Sequence, residues 1–203
     1  MITIDNHYFA NINYCKYLFN AKNVHFCPEI SYHKGWFTNK CTIIGANGTI
    51  NLSVPLLGGR NQKSVYKDVK IAYDTPWQQQ HLRAISSCYG NAPYFSYYQP
   101  IFEKILNTRF EKLFELNITI VETLVKLLKI EVKIDFLDAP ILAHDVIFSK
   151  KYIQENPPLN QQLIKYPQVF EDRRGFVPNL SIIDLLMCMG PQTTRILQVN
   201  DRS

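Results

Sequence analysis

Apolar positions change their spacing along this chain, from short runs typical of strands at the front to a helical repeat further on. Apolar, β-branched runs at residues 2–4 and 24–27 flank a helix-like segment at 11–21. A strand, a helix and a second strand in this order form a βαβ unit, whose strands normally pair in parallel. The sequence therefore predicts that the chain opens with a βαβ unit.

A β-hairpin is predicted after this unit. Strand-like runs at 41–44 and 50–54 lie on either side of the dipeptide Asn47-Gly48. This dipeptide favours a type I′ turn, because such a turn needs a positive φ at both central residues. The run Val69-Lys70-Ile71-Ala72 predicts a further strand.

Helical spacing dominates from residue 76 onwards. The predicted elements are a helix capped by Thr75 that ends at Gly90, helices at 97–116 and 119–129, a strand at 132–136, and a helix capped by Ser181 and Asp184 that stops at Gly190. Prolines between 138 and 174 predict loops with short helices. We expect an α/β fold, with an N-terminal βαβ unit and mixed sheet with a β-hairpin, followed by a mainly helical C-terminal half. Residues 1–203 would form a single domain, strand-rich over 1–75 and mainly helical over 76–203.

Composition narrows the class of protein. The chain has 203 residues, of which 46% are hydrophobic and 19% charged, and this is typical of a folded globular protein. Its five cysteines are scattered without the close pairs of a structural zinc site, so we expect reduced thiols and no metal. No segment has the pattern of a membrane span or a signal peptide, which predicts a cytoplasmic protein.

The net charge of +5 is spread along the chain without a cluster of lysines and arginines. A groove for nucleic acid needs such a cluster, so we expect no nucleic-acid partner. A pocket for a phosphate-bearing small molecule needs only a few cations. The charge pattern therefore favours a small-molecule ligand over a polyanionic one.

Candidate chemistry begins at Asn6 and His7, which follow the first predicted strand. In α/β folds, ligands collect at the carboxyl ends of strands, close to the free N–H groups at the start of the next helix. We therefore interpret His7 as a candidate catalytic residue and Asn6 as a candidate substrate-binding residue.

His81 is the second catalytic candidate, because an imidazole titrates near neutral pH and can both accept and release a proton. The predicted helix has an apolar stripe that includes Trp77 and Ile85, and we place His81 on another face. A structural histidine beside buried aromatic side chains is equally compatible with these residues. Tyr89 and Tyr94 are candidate walls of a binding pocket.

Two pairs of residues could bind other parts of a substrate. Lys34 and Trp36 offer a cation and a stacking surface for a sugar or base, or a solvated lysine beside a core tryptophan. Arg173 and Arg174 offer forked hydrogen bonds to a diphosphate, or paired charges on the surface. The residue types leave both alternatives open for each pair.

Motifs spread along nearly the whole chain occur in an order typical of one family. They are Lys34-Gly35-Trp36, Val54-Pro55, Asp68-Val69-Lys70-Ile71, Trp77 with His81-Leu82, Ile85, Tyr89 and Ala92-Pro93-Tyr94-Phe95, then Gly175-Phe176, Leu180-Ser181-Ile182-Ile183-Asp184-Leu185-Leu186 and Gly190-Pro191. Together they resemble the WbqC-like protein family. The start departs from the family pattern, because Asn6-His7-Tyr8-Phe9 stands where a Gln-Pro or similar pair usually precedes an aromatic residue.

The resemblance implies a role in surface-polysaccharide biosynthesis of the O-antigen type. It implies a transferase that acts on a nucleotide-activated or amino sugar, by acyl or aminoacyl transfer, with other glycan-biosynthesis enzymes as candidate partners. Two alternatives stay open: a non-catalytic binding or scaffold partner of a glycan-biosynthesis enzyme, and a nucleotidyltransferase-like enzyme, to which the opening with His7 is similar in outline. The sequence specifies no cofactor.

Overall fold

The computed structural model of the chain describes residues 2–33, 37–59, 63–137 and 164–198. Its strands are β1 (Ile2–Ile4), β2 (Asn23–Phe26), β3 (Lys40–Gly45), β4 (Gly48–Ser53) and β5 (Lys133–Phe136). Its α-helices are α1 (Ile12–Phe19), α2 (Trp77–Tyr89), α3 (Phe95–Asn107), α4 (Leu113–Leu128), α5 (Glu171–Arg174), α6 (Ile182–Met189) and α7 (Gln192–Gln198). Two 3₁₀ turns cover Phe37–Asn39 and Tyr66–Asp68.

The predicted βαβ unit is confirmed. β1 and β2 pair in parallel across α1, and β5 joins the other side of β2, also in parallel. Asn11 begins α1, because its side chain accepts a hydrogen bond from the Tyr14 backbone N–H at 2.9 Å. This cap fixes the path of the chain between the end of β1 and the first turn of the helix.

The predicted hairpin is also confirmed, although its turn differs from the expected type. β3 and β4 pair antiparallel as a two-stranded sheet, with Gly45 opposite Gly48. The loop therefore consists of Ala46 and Asn47, and neither of them has a positive φ. The positive φ of 120° belongs to Gly48, the first residue of β4. The prediction of a type I′ turn with two positive φ angles was wrong, because the freedom of the glycine is used one position after the loop.

The boundary between the two long helices lies earlier than predicted. Instead of helices at 97–116 and 119–129, the chain leaves α3 after Asn107 and begins α4 at Leu113. The residues between them pair with the segment around Val69: the Ile71 N–H donates to Glu111 O and the Leu113 N–H to Val69 O. Residues 69–72 therefore form isolated bridges and not the predicted strand. Their backbone groups are hydrogen-bonded to the segment between α3 and α4, which is distant in sequence.

The start of α6 is fastened to the segment that follows β1. The Ser181 hydroxyl donates to the Phe9 carbonyl at 2.7 Å, and the Ile182 N–H donates to the Ala10 carbonyl at 2.8 Å. Ser181 also caps α6 as predicted, by accepting from the Ile183 N–H. The C-terminal half therefore fixes the position of Phe9 and Ala10, which follow β1, through hydrogen bonds.

The α/β fold class is confirmed, with a parallel sheet and a hairpin at the front and mainly helices behind. One hydrophobic core includes side chains from Ile4 to Leu197. The single-domain arrangement of residues 1–203 stays a prediction. The loops predicted between 138 and 163 lie outside the described residues, while α5 is a short helix of the kind expected before Arg174.

Candidate active site

The carboxyl end of β1 continues into three polar residues that are excluded from solvent. Asp5, Asn6 and His7 are buried, at 1%, 0% and 0% exposure. Buried polar side chains cost free energy unless they are hydrogen-bonded, so such a run directly after a strand needs an explanation. It lies at the end of a parallel strand, where α/β folds collect ligands.

Asp5 and His7 form a hydrogen-bonded pair. The His7 Nε2 atom lies 2.9 Å from Asp5 Oδ2. A carboxylate oxygen accepts, so Nε2 is the donor in this hydrogen bond. The carboxylate thus fixes the tautomer and orientation of the imidazole, as in the base-and-orienter pairs of many enzymes.

Tyr14 of α1 holds this pair from the helix side. Its ring stacks on His7, with centroids 4.4 Å apart and planes inclined by 18°. Its hydroxyl donates to the backbone carbonyl of Asp5 at 2.5 Å. Burial, with the Asp5 charge as a second cause, raises the pKa of Tyr14 well above its ordinary value, so the phenol keeps the proton that it donates.

A second group of polar side chains surrounds Asn6, and we call Asn6, Thr38, Tyr66 and Asn117 the amide cluster. The Tyr66 hydroxyl donates to Asn6 Oδ1 and lies 3.2 Å from the Asn6 backbone oxygen. Asn117 Nδ2 donates to the Tyr66 hydroxyl at 2.8 Å and to the Thr38 carbonyl at 2.7 Å. The cluster therefore joins the end of β1 to both 3₁₀ turns and to α4.

Two atoms of the amide cluster keep unused hydrogen-bonding capacity. Thr38 Oγ1 and Asn117 Oδ1 are buried and have no partner among the described residues. An unsatisfied buried polar atom costs about 1–3 kcal/mol, which an ordered water or a ligand can remove. The amide cluster is therefore suited to meet a polar group of a ligand.

His81 lies on the buried face of α2, and its predicted placement on another face was wrong. Its Nδ1 atom is 2.8 Å from the Tyr8 hydroxyl, and the edge of the Trp77 ring packs on it with centroids 5.2 Å apart. Trp77 Nε1 is buried without a hydrogen-bond partner among the described residues. Burial lowers the pKa of His81 to about 4, against an opposing hydrogen bond with the Ser53 backbone. His81 is therefore neutral near pH 7.

Tyr89 belongs to a buried network around Asp184. The Tyr89 hydroxyl donates to Asp184 Oδ1 at 2.9 Å, and the Tyr166 hydroxyl donates to Oδ2 at 2.5 Å. Gln168 Nε2 is a third donor, 3.2 Å from Oδ2. Asp184 was expected to complete the cap of α6, but its carboxylate instead satisfies three buried donors, and burial raises its pKa.

Tyr94 and the two arginines have other surroundings. The Tyr94 ring is half-buried against Gly190, where an added Cβ would lie 2.4 Å from a ring carbon. Arg174 donates from Nε and Nη2 to the Ala46 carbonyl, at 2.8 and 2.6 Å. Arg173 lines a cleft of about 550 Å³ that also involves Cys188. Arg174 thus contacts the hairpin loop, while Arg173 is placed to meet a ligand in the cleft.

Lys34 and Trp36 lie outside the described residues. Of the predicted site residues, the structure brings Asn6 and His7 together at the end of β1. It places His81 and Tyr89 in two other buried environments and Tyr94, Arg173 and Arg174 closer to the surface. The assignment of catalytic and substrate-binding roles to these residues stays a prediction.

The sequence prediction missed Asp5 and most of the amide cluster. Asp5 carries a local signal, because a carboxylate two residues before a histidine directly follows an apolar run. Thr38, Tyr66 and Asn117 carry none, since each sits in a different element and only the fold joins them. Tertiary contacts of this kind cannot be read from spacing along the chain.

The structure places the five cysteines in the interior. All five are buried and free of disulfides. Burial raises the pKa of Cys41 to about 12 and that of Cys27 to about 11, so their thiolates are disfavoured near neutral pH. Within the described ranges, no group of three or more His, Cys, Asp or Glu is placed to hold a metal ion, and no helix is long and apolar enough to cross a membrane.

These features define a mixed α/β protein with a buried His–Asp pair and an amide cluster at one edge of a short parallel sheet. A comparison with models of known protein families identifies the family. The model of the WbqC-like protein family matches residues 6–141 and 139–196, which is nearly the whole chain, and the chain belongs to this family. No curated protein and no solved structure matches it.

Proposed function

We propose that the protein is a transferase of surface-polysaccharide biosynthesis, of the O-antigen type, acting on a nucleotide-activated or amino sugar. The reaction that the site supports best is acyl or aminoacyl transfer to an amine of the sugar. Membership in the WbqC-like family agrees with this role. The observation that carries the proposal is the buried Asp5–His7 pair at the carboxyl end of β1.

The pair suits the proton transfer that such a reaction needs. The sugar amine attacks the carbonyl carbon of an activated acyl donor, such as a thioester, so that a C–N bond forms and the C–S bond breaks. His7 accepts the proton that the amine loses and returns it to the departing thiolate, while Asp5 stabilises the transient imidazolium. Atoms and charge balance without a further co-reactant.

The surroundings of the two histidines favour His7 over His81 as the general base. His7 is hydrogen-bonded to a carboxylate, which fixes the orientation of its ring. The pKa of His81, lowered to about 4 by burial, disfavours protonation near pH 7. We therefore assign the general base to His7 and a structural role to His81.

The burial of His7 also sets a requirement on the reaction cycle. A side chain with 0% exposure meets a substrate only when neighbouring side chains move aside. Closure afterwards would keep water from the acyl donor, which limits hydrolysis. The proposal thus includes an opening step before chemistry.

A ligand screen by thermal shift tests the proposal. The purified protein is heated with nucleotide sugars, amino sugars and acyl thioesters, each alone and in pairs. A ligand at 100 times its Kd stabilises the folded state by about 2.7 kcal/mol, which raises the Tm of a protein of this size by about 5–10 °C. A pair that raises the Tm is then incubated, and mass spectrometry detects the acylated sugar.

The alternative, a scaffold protein without catalysis, gives a different result. In that case no nucleotide sugar or thioester shifts the Tm, and a co-expressed glycan-biosynthesis enzyme co-purifies with the chain. That combination would remove the transferase proposal. A shift by one substrate without product from any pair would reduce it to a binding function.

A further inference from the structure

Phe136 ends β5 at the same edge of the sheet as the candidate active site. In the strand register, Ile4 pairs with Phe26 and Phe26 pairs with Phe136. Neighbouring strands lie about 4.8 Å apart, so the row from Ile4 to Phe136 spans about 10 Å. Asp5 follows Ile4 directly, and Phe136 therefore lies within reach of a ligand that occupies this edge.

Phe136 is 45% exposed, so part of its ring is open to a ligand. It is the outer member of a series of three aromatic rings joined by two contacts. Phe136 meets Phe114 at a centroid distance of 6.0 Å, and Phe114 meets Tyr66 at 5.4 Å, both edge to face. The Tyr66 hydroxyl then reaches Asn6. An aromatic wall thus runs from the surface to the amide cluster.

The inner end of this wall carries polar atoms that have hydrogen-bonding capacity left. Asn117 Oδ1 and Thr38 Oγ1 are buried without a partner among the described residues, and Asn117 is hydrogen-bonded to Tyr66. The wall therefore connects an exposed apolar ring to buried polar groups. A ligand that matches it has a flat apolar part at one end and hydrogen-bonding groups at the other.

We propose that Phe136 stacks on the base of a nucleotide-linked substrate, while the sugar end of that substrate lies at the amide cluster. This inference rests on the proposed function, since it specifies where the activated sugar binds. Every nucleobase has a flat π face, so stacking on one aromatic side chain holds a base without selecting among bases. Selection is then left to the polar groups.

Titration calorimetry with UDP, dTDP, GDP and inorganic pyrophosphate tests the stacking. The variants are Phe136→Ala and Phe136→Trp, and Tyr97→Ala is the matched control, because Tyr97 is a more exposed aromatic residue, at 65%, on α3. Loss of one stacked base weakens binding about 5- to 100-fold. We expect this loss for the nucleoside diphosphate that binds wild type most tightly, in Phe136→Ala only, with pyrophosphate binding unchanged.

Phe136→Trp keeps a stacking surface and adds a reporter. We expect wild-type affinity within about threefold, a ratio well below the effect of one lost stacked base. The indole emission of this variant should be quenched on addition of the nucleotide, beyond the change seen in wild type. This variant also covers the case in which Phe136→Ala fails to fold, because it retains the packing against Phe114.

Three outcomes would overturn the stacking. Equal affinity of Phe136→Ala and wild type for the nucleoside diphosphate removes Phe136 from the site but leaves the proposed transferase in place. Equal weakening of nucleotide and pyrophosphate binding shows an indirect effect on the site. If wild type binds no nucleoside diphosphate, the stacking and the nucleotide part of the proposed function both fail, whereas transfer to a free amino sugar is tested separately by product formation.

Discussion

His7 and His81 are both buried near the segment that leaves β1, yet their neighbours differ in kind. His7 is hydrogen-bonded to the carboxylate of Asp5 and stacked on Tyr14. His81 meets the Tyr8 hydroxyl and the edge of Trp77. The carboxylate orients the His7 ring, whereas burial lowers the pKa of His81 to about 4 and keeps that ring neutral near pH 7. Burial alone therefore does not identify a catalytic histidine, and the partner decides between the two roles.

The unsatisfied atoms near the two histidines also differ. The amide cluster beside His7 has two such oxygens on hydrogen-bonded neighbours, Thr38 and Asn117. The His81 region has the indole N–H of Trp77, which belongs to a large apolar ring. Two adjacent oxygens suit the polar end of a ligand better than a single N–H in an aromatic contact. The difference favours the His7 region as the site and the His81 region as part of the core.

The His7→Gln variant is the strongest test of whether His7, rather than His81, is the general base. Glutamine can still donate a hydrogen bond to Asp5 but cannot carry a proton between substrate and leaving group. General base catalysis contributes about 10²–10⁴-fold, so we expect the initial rate of sugar acylation to fall by that factor. The rate is measured with the substrate pair found by the ligand screen.

His25→Gln is the matched control for His7→Gln. His25 lies on the same sheet, 3.8 Å from the carboxylate of Asp135, but this pair is partly exposed. We expect a wild-type rate from this variant. If both variants keep the wild-type rate while their Tm values stay unchanged, His7 is not the general base.

A stability measurement on Asp184→Ala sharpens the contrast between a site and a structural network. The variant leaves the hydroxyls of Tyr89 and Tyr166 without their acceptor, whereas Gln168 Nε2 keeps its hydrogen bond to the Val177 carbonyl. Each buried donor left unsatisfied costs about 1–3 kcal/mol, so we expect the free energy of unfolding to fall by about 4 kcal/mol. The Tm should fall by about 10 °C for a chain of this size.

Urea denaturation checks the Asp184 prediction, with Asp172→Ala as the control. Asp172 is an exposed acidic residue on α5, and we expect its removal to change the free energy of unfolding by less than about 0.5 kcal/mol. A small loss of stability in Asp184→Ala, combined with a large loss of transfer rate, would move the site to the Asp184 network.

The pH dependence of stability tests the state of His81. Its pKa is about 4 in the folded protein, below the ordinary value of 6.5. The unfolded chain therefore binds an extra proton between these pH values, and stability is lost as the pH falls from about 6.5 to 4. The shift corresponds to about 3 kcal/mol between pH 7 and pH 4. The raised pKa of Asp184 acts in the opposite direction, since the folded state then binds the proton more tightly.

The His81→Leu variant isolates this contribution, because all other groups remain. We expect the difference in unfolding free energy between wild type and variant to change by about 3 kcal/mol from pH 7 to pH 4, in the variant's favour at pH 4. Gln80→Leu, on the exposed face of α2, should keep the wild-type pH profile. Parallel profiles of wild type and His81→Leu would show that the pKa of His81 is not lowered in the folded protein and would reopen its catalytic role.

Local patterns predicted the elements whose geometry is set by neighbours in the sequence. The βαβ unit follows from two strand-like runs on either side of a helix-like segment, and the hairpin follows from Asn47-Gly48 between two further strand-like runs. The end of α3 was misplaced because the pairing of Ile71 with Glu111 is long-range. Backbone hydrogen bonds of that kind override helical spacing without leaving a local trace.

Of the candidate site, the sequence pointed only to residues that are neighbours along the chain, and their role as a site stays a prediction. Asn6 and His7 were singled out because the carboxyl end of a parallel strand is a general location for ligands. Asp184 was interpreted as a cap residue from its spacing to Ser181, although its partners Tyr89 and Tyr166 come from distant segments. A polar residue can serve its own helix or a remote one, and only three-dimensional contacts distinguish these cases.

Arg173 and Arg174 give the smallest expected effects and test whether the site extends beyond the His7 region. Arg174→Ala removes two hydrogen bonds to Ala46 from an exposed side chain, so we expect a loss of about 0.5 kcal/mol in urea denaturation. Because that guanidinium already has an acceptor, UDP affinity should not change.

Any diphosphate contact then falls to Arg173 in the cleft, and Arg173→Ala should weaken UDP binding about tenfold, as for one lost charge-assisted hydrogen bond. Unchanged UDP affinity in both variants would leave phosphate binding to residues near His7, whereas a loss in Arg174→Ala alone would mean that the contact with Ala46 opens when the nucleotide binds.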